Sequence, residues 1–542
     1  MKTVLTTLAV LLASLPAQAA SFSDNPIVYF AVTDRFANGN PGNDHAYGRS
    51  ADPEGGDIGS FHGGDIAGIT EKLKAGWFKE LGVNALWITA PYEQIHGWVV
   101  GGKQQFRHYA YHGYWALDYT TMDANMGTRE ELREMINTAH AQGIRVLFDV
   151  VLNHPGYADL RTLAEYKVPV LWPGHEQATL RDYHSFIDYN NFEFKQWWGP
   201  DWVRAGLPGY REGGQDDYTM QLAYLPDFRT ESGKAVDLPP ILQRKNDTRA
   251  VARPDTTVRS YLVGWLADWV REFGVDGFRA DTVKHVEPAS WLALRAAATE
   301  ALADWKARHP KQAIDDAPFW MTGEAWGHGP ERSSWHDAGF DSMINFDFQH
   351  RAGGGWKAID GVYRQYAQLL GQGPRYDILS YISSHDTSLF PRDQLKHGLS
   401  ALLLAPGGVQ LFYGDESGRL PGTAPAGDEQ QATRSDMNWT SLDSAMLAHA
   451  HKLGQFRLRH AALARGEHRL NSEAPYAFAR VTADDRVIVA PDAQGAITLK
   501  VHGVFADGAT VRDAYSNQIY TVSNGAVAIN ATGTVLLETT TP

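Results

Sequence analysis

Short apolar runs alternate with amphipathic stretches along most of the chain. Strands buried on both faces read as continuous apolar runs, and eight such runs are present. The strand candidates are Ile27–Val32, Ala85–Thr89, Arg145–Asp149, the start of Asp276–His285, Phe319–Thr322, Met343–Phe348, Leu379–Ser383 and Val409–Tyr413. Apolar residues recur at helical spacing from Leu262 to Phe273, and Gly274 is expected to end that helix. The alternation predicts an α/β fold, and eight strands predict a (β/α)₈ TIM barrel.

Two stretches break this pattern. Residues 155–228 are long, loop-rich and rich in tryptophan, which predicts an inserted domain over the top face of the barrel after its third strand. After Arg465 short alternating segments such as Tyr476–Val481 are separated by Gly and Asp turns, a texture typical of an all-β sandwich domain. We therefore predict a barrel at 20–154 and 229–465, an inserted domain at 155–228 and a C-terminal β-domain at 466–542.

The first 19 residues resemble a secretory signal peptide rather than part of the fold. Lys2 is followed by the apolar run Val4–Leu15 and by Ala17-Gln18-Ala19, a small-x-small cleavage site. We expect export to the periplasm or the extracellular medium, with a mature start near Ala20. Exported proteins usually contain disulfides, but this chain has 0 cysteines. Its fold must therefore depend on core size, either alone or together with bound metal.

The composition and net charge of the chain limit the kinds of molecule that it is expected to bind. A chain of 542 residues is long enough for two or three domains. Its net charge of −14 argues against nucleic acid, and no later apolar run is long enough for a membrane span. We expect a monomer. The 17 Trp, 23 Tyr and 22 Phe suit either flat ligands such as sugar rings or a large aromatic core.

The segment Asp276–His285 carries the first candidate chemistry. Arg279 and Asp281 are two residues apart, so on a strand they point to the same face, where the guanidinium would keep the carboxylate ionised. An isolated pair of this kind is usually a structural ion pair. Glu324 and Asp386, however, follow two later strand candidates, and barrel active sites lie at the carboxyl ends of the strands. Two such carboxylates can cleave a glycosidic bond with retention, one attacking while the other protonates the leaving oxygen.

Glu324 is the candidate for the general acid. It lies two residues before Trp326, and a carboxyl beside an indole is partly desolvated, which raises its pKa. Any single carboxylate is more often a helix cap or a surface charge. Three at the strand ends of one barrel favour a catalytic site.

Six short motifs together resemble a known family. They are Ala110–Trp115, Asp149–His154, Leu225–Asp227, Gly277–His285, Gly323–Trp326 and Ser383–Asp386. In this order they resemble the conserved regions of the α-amylase family, family 13 of the glycoside hydrolases, and most of all its periplasmic and secreted bacterial members. The resemblance covers nearly all of the mature chain. It implies a hydrolase that cleaves α-1,4 linkages inside starch, glycogen or maltodextrins.

The resemblance also implies a role for each site residue. Asp281 would be the nucleophile, Glu324 the acid/base and Asp386 the stabiliser of an oxocarbenium-like transition state, while Arg279 would orient the nucleophile. The other implied substrate contacts are His112, His154 and His385 as hydrogen-bonding groups in subsite −1, Tyr114 as its stacking ring, and Lys284 and His285 on the acceptor side.

Calcium is the cofactor that the resemblance implies, because hard oxygen ligands suit Ca²⁺. The ligands of the family's shared site match Asn153, Tyr218, Asp227 and His285, and this site would pin the inserted domain to the barrel. A second site resembles the N-terminal calcium loop of cyclodextrin glucanotransferases and consists of Asn38, Asn40, Asn43, Asp44, Gly63 and Asp65. Asn38 stands where an aspartate is usual, and a loop of this composition is also typical of plain turns.

Three functions stay open on the sequence. The main hypothesis is endo-hydrolysis, favoured because the chain has one β-domain and lacks the starch-binding domains of the glucanotransferases. A transglycosylase or an exo-acting maltogenic enzyme is the alternative among enzymes. A catalytically inactive α-glucan-binding protein is the alternative from another class, although a binding module has no need for a costly cluster of like charges.

Overall fold

The computed structural model describes residues 21–52, 55–425 and 427–540, so the predicted signal peptide at 1–19 lies outside the described residues. The strands, in chain order, are β1 Ile27–Ala31, β2 Ala85–Ile88, β3 Tyr92–Gln94, β4 Trp98–Gly101, β5 Phe106–Tyr109, β6 Ala116–Met122, β7 Arg145–Val150, β8 Val203–Arg204, β9 Asp227–Phe228, β10 Gly277–Ala280, β11 Trp320–Gly323, β12 Ser342–Asn345, β13 Asp377–Ser380, β14 Gly408–Phe412, β15 Glu467–Glu473, β16 Tyr476–Val481, β17 Arg486–Lys500, β18 Thr510–Asp513, β19 Gln518–Thr521 and β20 Ala526–Thr539.

Helices fill most of the connections. They are α1 Thr33–Phe36, α2 Ile66–Lys74, α3 Trp77–Glu80, α4 Arg129–His140, α5 Leu160–Glu165, α6 Pro240–Arg244, α7 Val258–Phe273, α8 Pro288–Arg308, α9 Ser334–Asp337, α10 Asp347–Arg351, α11 Trp356–Leu370, α12 Leu395–Leu403, α13 Ser444–Arg459 and α14 Ala462–Arg465. Short 3₁₀ turns lie at Phe22–Asp24, Pro41–Asn43, Ala46–Gly48, His175–Gln177, Tyr183–Phe186, Phe192–Gln196, Val283–His285, Arg392–Gln394 and Glu429–Arg434.

The predicted barrel is confirmed. Eight parallel strands close in the order β1, β2, β7, β10, β11, β12, β13, β14, with β14 pairing back to β1. Each strand is apolar and fully buried, because helices cover its outer face and the other strands face it inside. The predicted helix before β10 is α7, and Gly274 ends it in the left-handed conformation at φ 76°.

Two predicted strand boundaries are wrong. The strand expected at Met343–Phe348 ends at Asn345, and α10 starts two residues later at Asp347. The strand expected at Leu379–Ser383 is Asp377–Ser380, so its last three predicted residues belong to a loop. Both errors have one cause: apolar residues continue past the strand because they pack into the core above it, and periodicity alone does not separate the two.

The regions outside the barrel follow the predicted textures, while the predicted domain boundaries stay predictions. Between β7 and α7 the chain forms mainly short helical turns and the two-stranded β8–β9 sheet. From Glu467 onwards six antiparallel strands form one sheet with an apolar core of its own. The described residues contain no helix with the length and apolar character of a membrane span.

Candidate active site

Arg279 connects two carboxyl groups at the top of the barrel. Strand register places Arg279 beside Asp149 on β7 and Thr322 on β11. Its Nη1 donates to Oδ1 of Asp281 at 2.7 Å, and its Nη2 lies 3.9 Å from Oε2 of Glu324. The predicted pairing of Arg279 with Asp281 is therefore present, and Glu324 faces the same guanidinium. One buried cation thus sets the charge balance of both carboxyl groups.

Backbone geometry fixes Glu324. The residue directly follows β11, and Oε2 accepts a hydrogen bond from the N–H of Thr282 at 2.9 Å. Burial raises the pKa of Glu324 to about 7. The positive charge of Arg279 acts to lower this pKa, and the negative charges of Asp281 and Asp386 act to raise it. A carboxyl with this pKa holds its proton near neutral pH, as a general acid requires.

The raised pKa agrees with the predicted desolvation of Glu324. Trp326 is 53 % exposed and packs on Phe346, with ring centroids 5.2 Å apart. The strand that ends before Glu324 is buried along its whole length, so the barrel contributes to this desolvation.

Asp149 also contacts Arg279, and the sequence analysis did not predict this contact. Asp149 Oδ1 accepts from Arg279 Nη1 at 2.9 Å, and its Oδ2 accepts from the hydroxyl of Tyr114 at 2.8 Å and from Trp87 Nε1 at 3.2 Å. The sequence contained a signal for Asp149, because a carboxylate at the end of a buried apolar strand needs a partner. Its position fixes the orientation of both Arg279 and Tyr114.

Asp386 lies in a loop, six residues beyond β13, and not at the strand end itself. Its Oδ2 is 2.9 Å from His385 Nε2, and its Oδ1 accepts from Arg434 Nη2 at 3.0 Å. Burial acts to raise the pKa of Asp386, but His385 and Arg434 outweigh it and hold the pKa well below its usual value. Burial lowers the pKa of His385, so this ring is neutral near pH 7 and Arg434 supplies the permanent charge. Arg434 was not predicted, because it lies in a 3₁₀ turn far along the chain.

The structure brings the other predicted contacts of subsite −1 to the same place. The hydroxyl of Tyr114 lies 2.7 Å from His385 Nε2, and the rings of His112 and Tyr114 stack with centroids 5.4 Å apart. Burial lowers the pKa of His112 well below its usual value and that of His154 to about 4, so both rings are neutral hydrogen-bonding groups. Lys284 is half-buried, one residue before His285 on the 3₁₀ turn that follows Asp281.

A cavity of about 800 Å³ lies beside this cluster, and most of its lining comes from the segment 155–228 and from residues 99–115; none of the three candidate catalytic carboxyl groups lines it. Trp115, whose ring centroid lies 4.6 Å from that of His112, forms part of its wall. Aromatic side chains that line the remainder include Tyr157, Tyr189 and Tyr210. Such a lining suits several flat apolar sugar faces in succession.

The residues of the first calcium hypothesis have a donor set that fits the ion. Oδ1 of Asn153 is buried without a hydrogen-bond partner, and the Asn153 carbonyl accepts from Phe228 N at 2.8 Å, which places Asp227 beside it. Burial raises the pKa of Asp227 to about 7, although Arg204 donates to its Oδ2 at 2.7 Å. Across the cleft, His285 Nδ1 contacts the carbonyl of Asp217, the neighbour of Tyr218.

The six residues of the second calcium hypothesis also cluster, but the carboxylates of Asp44 and Asp65 already have partners within the protein. Asn38 Nδ2 donates to both oxygens of Asp44 at 3.0 and 3.1 Å, and a Cβ on Gly63 would contact both side chains. Asp65 caps α2 through Gly68 N and also accepts from Asn40 N and Asn43 Nδ2. Oδ1 of Asn43 is a buried oxygen without a partner. Within the described ranges, no group of three or more His, Cys, Asp or Glu side chains is arranged to hold a metal.

Known proteins with similar sequences point to one family. The model of the family "Alpha amylase, catalytic domain" matches residues 30–193. The periplasmic alpha-amylase of Escherichia coli (strain K12) is 48% identical over 495 residues, which cover 86% of this chain and 71% of that protein. An alpha-amylase of Streptomyces lividans is 26% identical over 405 residues, covering 67% of this chain and 41% of that protein.

Solved structures share the fold. An Anoxybacillus alpha-amylase superposes with a TM-score of 0.66 at 22% identity, covering 96% of this chain and 100% of its own. A gamma-CGTase from alkalophilic Bacillus clarkii superposes with a TM-score of 0.66 at 19% identity, covering 97% and 72%. Given the closed barrel, the carboxyl cluster at its top and the similarity to the Escherichia coli protein, this chain belongs to the alpha-amylase family of glycoside hydrolases.

Proposed function

We propose that the protein is an α-amylase that cleaves α-1,4-glucosidic linkages inside starch, glycogen or maltodextrins and retains the anomeric configuration. The observation that carries the proposal is the contact of one guanidinium, that of Arg279, with both Asp281 and Glu324. Retention needs one ionised and one protonated carboxyl on either side of the scissile bond. The guanidinium of Arg279 is an ion-pair partner of Asp281 at 2.7 Å, and burial raises the pKa of Glu324 to about 7.

In the first chemical step Asp281 acts as the nucleophile and Glu324 as the general acid. A carboxylate oxygen of Asp281 attacks the anomeric carbon while the bond from that carbon to the glycosidic oxygen breaks. Glu324 transfers its proton to the departing oxygen, which leaves as a free sugar hydroxyl and completes the glycosyl-enzyme ester. Asp386, held ionised by Arg434, would stabilise the positive charge that develops on the sugar ring.

In the second step Glu324 acts as a base. The ionised carboxylate takes a proton from water as the water oxygen attacks the anomeric carbon, and the ester bond to Asp281 breaks. Two inversions restore the starting anomer. His112, His154 and His385 would bind sugar hydroxyls as neutral groups, with Tyr114 as the stacking ring and Lys284 and His285 beside the acceptor.

An extended substrate fits the site better than a small one. The cavity of about 800 Å³ beside Trp115 is lined by several aromatic rings, so it would offer binding surface next to the catalytic carboxyl groups rather than at the cleaved bond itself. Related solved structures carry maltose in AmyP and acarbose in an alpha-amylase from Geobacillus thermoleovorans. We therefore infer an α-glucan chain as the substrate.

Calcium would have a structural role in this scheme. Asn153 and Asp227 offer an unpaired amide oxygen and a buried carboxylate, and the carbonyls of Tyr218 and His285 would complete the oxygen set. A cation there would join the barrel strand β7 to the segment 155–228 and offset the buried charge of Asp227. Export is the companion proposal, since the most similar of the relatives named above is periplasmic.

The product profile on a defined α-1,4 oligosaccharide, such as maltoheptaose, tests the proposal. We expect several internal cleavages and products that appear first as the α-anomer in proton NMR, with Asp281→Asn as the inactive control. A β-anomer would contradict the retaining mechanism. Products longer than the substrate indicate transglycosylation, a single short product indicates exo-action, and binding without cleavage indicates the inactive binding protein.

A further inference from the structure

A second cavity, of about 460 Å³, lies on the outer side of the barrel against α7. Its lining comes from β6, α4, α7, the end of α8 and the loop before α7, and none of the described residues of the candidate active site contributes to it. We call it the basic cavity. Its charged lining residues are Arg129, Arg249, Arg253, Asp268, Arg271, Glu272 and Arg308.

The charge of the basic cavity opposes that of the whole chain. Five guanidinium groups against two carboxylates leave a net charge of +3, whereas the full chain has −14. A local concentration of positive charge in an acidic protein focuses its field on the cavity and attracts anions there. The cavity is therefore a candidate anion site.

Ion pairs within the protein do not use up these arginines. Glu272 alone accepts from Arg129 Nε at 3.3 Å, Arg133 Nη2 at 3.2 Å and Arg249 Nη2 at 3.3 Å. Asp268 accepts from Arg271 Nη1 at 2.5 Å, and Arg253 Nη2 lies 3.7 Å from the same carboxylate, a loose ion pair. Arg271 Nε is also 3.8 Å from Asp304. Each guanidinium has five N–H donors and a carboxylate has about four acceptor sites, so donors exceed acceptors around the cavity.

The arginines are also held in place for a ligand. The guanidinium of Arg129 lies over the ring of Trp269 at 4.6 Å. Gly264 on α7 leaves room for Arg253, since a Cβ there would be 3.0 Å from Nη1. The side chains of Arg249 and Arg253 are 53 % and 48 % exposed, so they are accessible from solvent. The stacked guanidinium of Arg129 should lose little side-chain entropy on binding, while Arg249 and Arg253 offer accessible donors beside it.

We propose that the basic cavity binds an anion with at least two adjacent phosphate groups, either a free oligophosphate or the headgroup of an anionic phospholipid. The fork of a guanidinium matches phosphate oxygens in pairs. One phosphate monoester carries about −1.5 to −2, so two adjacent groups match a net charge of +3. A single carboxylate would leave most of the charge uncompensated.

Titration of the full-length protein with inorganic pyrophosphate by calorimetry tests the proposal. We expect saturable binding that weakens with added salt, and a loss of affinity of about tenfold or more in Arg249→Gln/Arg253→Gln. Arg253→Gln alone, which removes only a loose ion pair, is the second variant if the double variant melts early. The matched control is Arg375→Gln/Arg469→Gln, which removes two arginines of similar exposure elsewhere and should bind as the wild type does.

Cosedimentation with vesicles distinguishes the two sources of phosphate. Vesicles that contain cardiolipin, whose headgroup carries two phosphate groups, are compared with phosphatidylcholine vesicles for the same proteins. Pyrophosphate binding that the cavity variants lose supports a free oligophosphate, and cardiolipin binding that they lose supports a headgroup. No binding of either probe, or equal binding by the cavity variants and the wild type, overturns the proposal. Glucan cleavage should be unchanged in all of them.

Discussion

The backbone N–H of Thr282 donates to Oε2 of Glu324 at 2.9 Å, and Thr282 adopts φ 47° to do so. This left-handed conformation is rare for a β-branched residue because its side chain crowds the backbone. The hydroxyl Oγ1 of Thr282 is also buried without a partner. The left-handed backbone and the unpaired hydroxyl both destabilise the fold at Thr282, the residue directly after the proposed nucleophile. We infer that this conformation is kept because it directs the Thr282 N–H group at the carboxyl of Glu324.

Thr282→Gly should therefore stabilise the protein or leave its stability unchanged. Glycine adopts φ 47° without strain and removes the unpaired hydroxyl, and these gains outweigh its larger unfolded-state entropy by up to ~1 kcal/mol. Chemical denaturation measures the change. The control is Thr299→Gly within α8, where the same substitution should destabilise by roughly 0.5–1 kcal/mol. A clear loss of stability in Thr282→Gly would show that the hydroxyl has a role in the fold.

The pH profile should report the acid. Burial raises the pKa of Glu324 to about 7, so the protonated form dominates below that pH and is lost as the pH rises through it. Glycosylation by a general acid should accordingly decline above about pH 7. In Glu324→Gln, assayed with an activated substrate that needs no acid, this alkaline decline should vanish. A decline that persists in the variant would assign it to another group.

The local pattern of apolar and polar residues was sufficient to predict the fold. It also predicted contacts between residues that are close in sequence. Eight buried strands show as apolar runs, and Arg279 and Asp281 share a face because strand side chains alternate. Loop-borne partners have no such signal: Arg434 reaches Asp386 only because the turn after β14 folds back over the barrel. Trp326 has a ring partner that its place in the sequence does not indicate, since it packs on Phe346, which follows the next barrel strand.

Arg434 should act as a positioning residue for Asp386. Arg434→Gln removes the permanent charge at 3.0 Å, so the pKa of Asp386 should rise towards its usual value. We expect kcat to fall by about tenfold or more and the acid limb of the pH profile to move to higher pH. Arg434→Lys keeps a positive charge, so the acid limb of its pH profile should lie close to that of the wild type, while its kcat should recover only in part. An unchanged acid limb in Arg434→Gln would mean that the residue only packs there.

Chelation should separate the two calcium hypotheses. An ion that binds only the native state raises its stability by mass action, so excess chelator should lower the melting temperature and added Ca²⁺ should restore it. If Asn153 and Asp227 hold that ion, Asp227→Asn should have a reduced response to chelator, whereas Asp44→Asn in the N-terminal loop should respond as the wild type does. Metal analysis of the three proteins gives the stoichiometry. An identical melting curve with and without chelator, in protein free of metal, would remove both sites.

The division of roles between Asp281 and Glu324 can be tested through the leaving group. A general acid matters most when the leaving group is a poor one, such as the sugar alkoxide of a natural glucan, and little when the group departs unprotonated. Glu324→Gln should therefore lose nearly all cleavage of starch but keep measurable glycosylation from α-maltosyl fluoride. Azide should accelerate its turnover, because a small anion attacks the glycosyl-enzyme without a general base.

Asp281→Asn removes the nucleophile, so its rate should fall by several orders of magnitude with every substrate. Azide should not restore that rate, and mass spectra should show no covalent intermediate. Both variants should melt close to the wild type, since Asn and Gln keep the shape of the side chains around Arg279. If the two variants respond alike to leaving group and azide, then the buried carboxyl with the raised pKa is not the acid, and the chemistry assigned to Asp281 and Glu324 must be exchanged or abandoned.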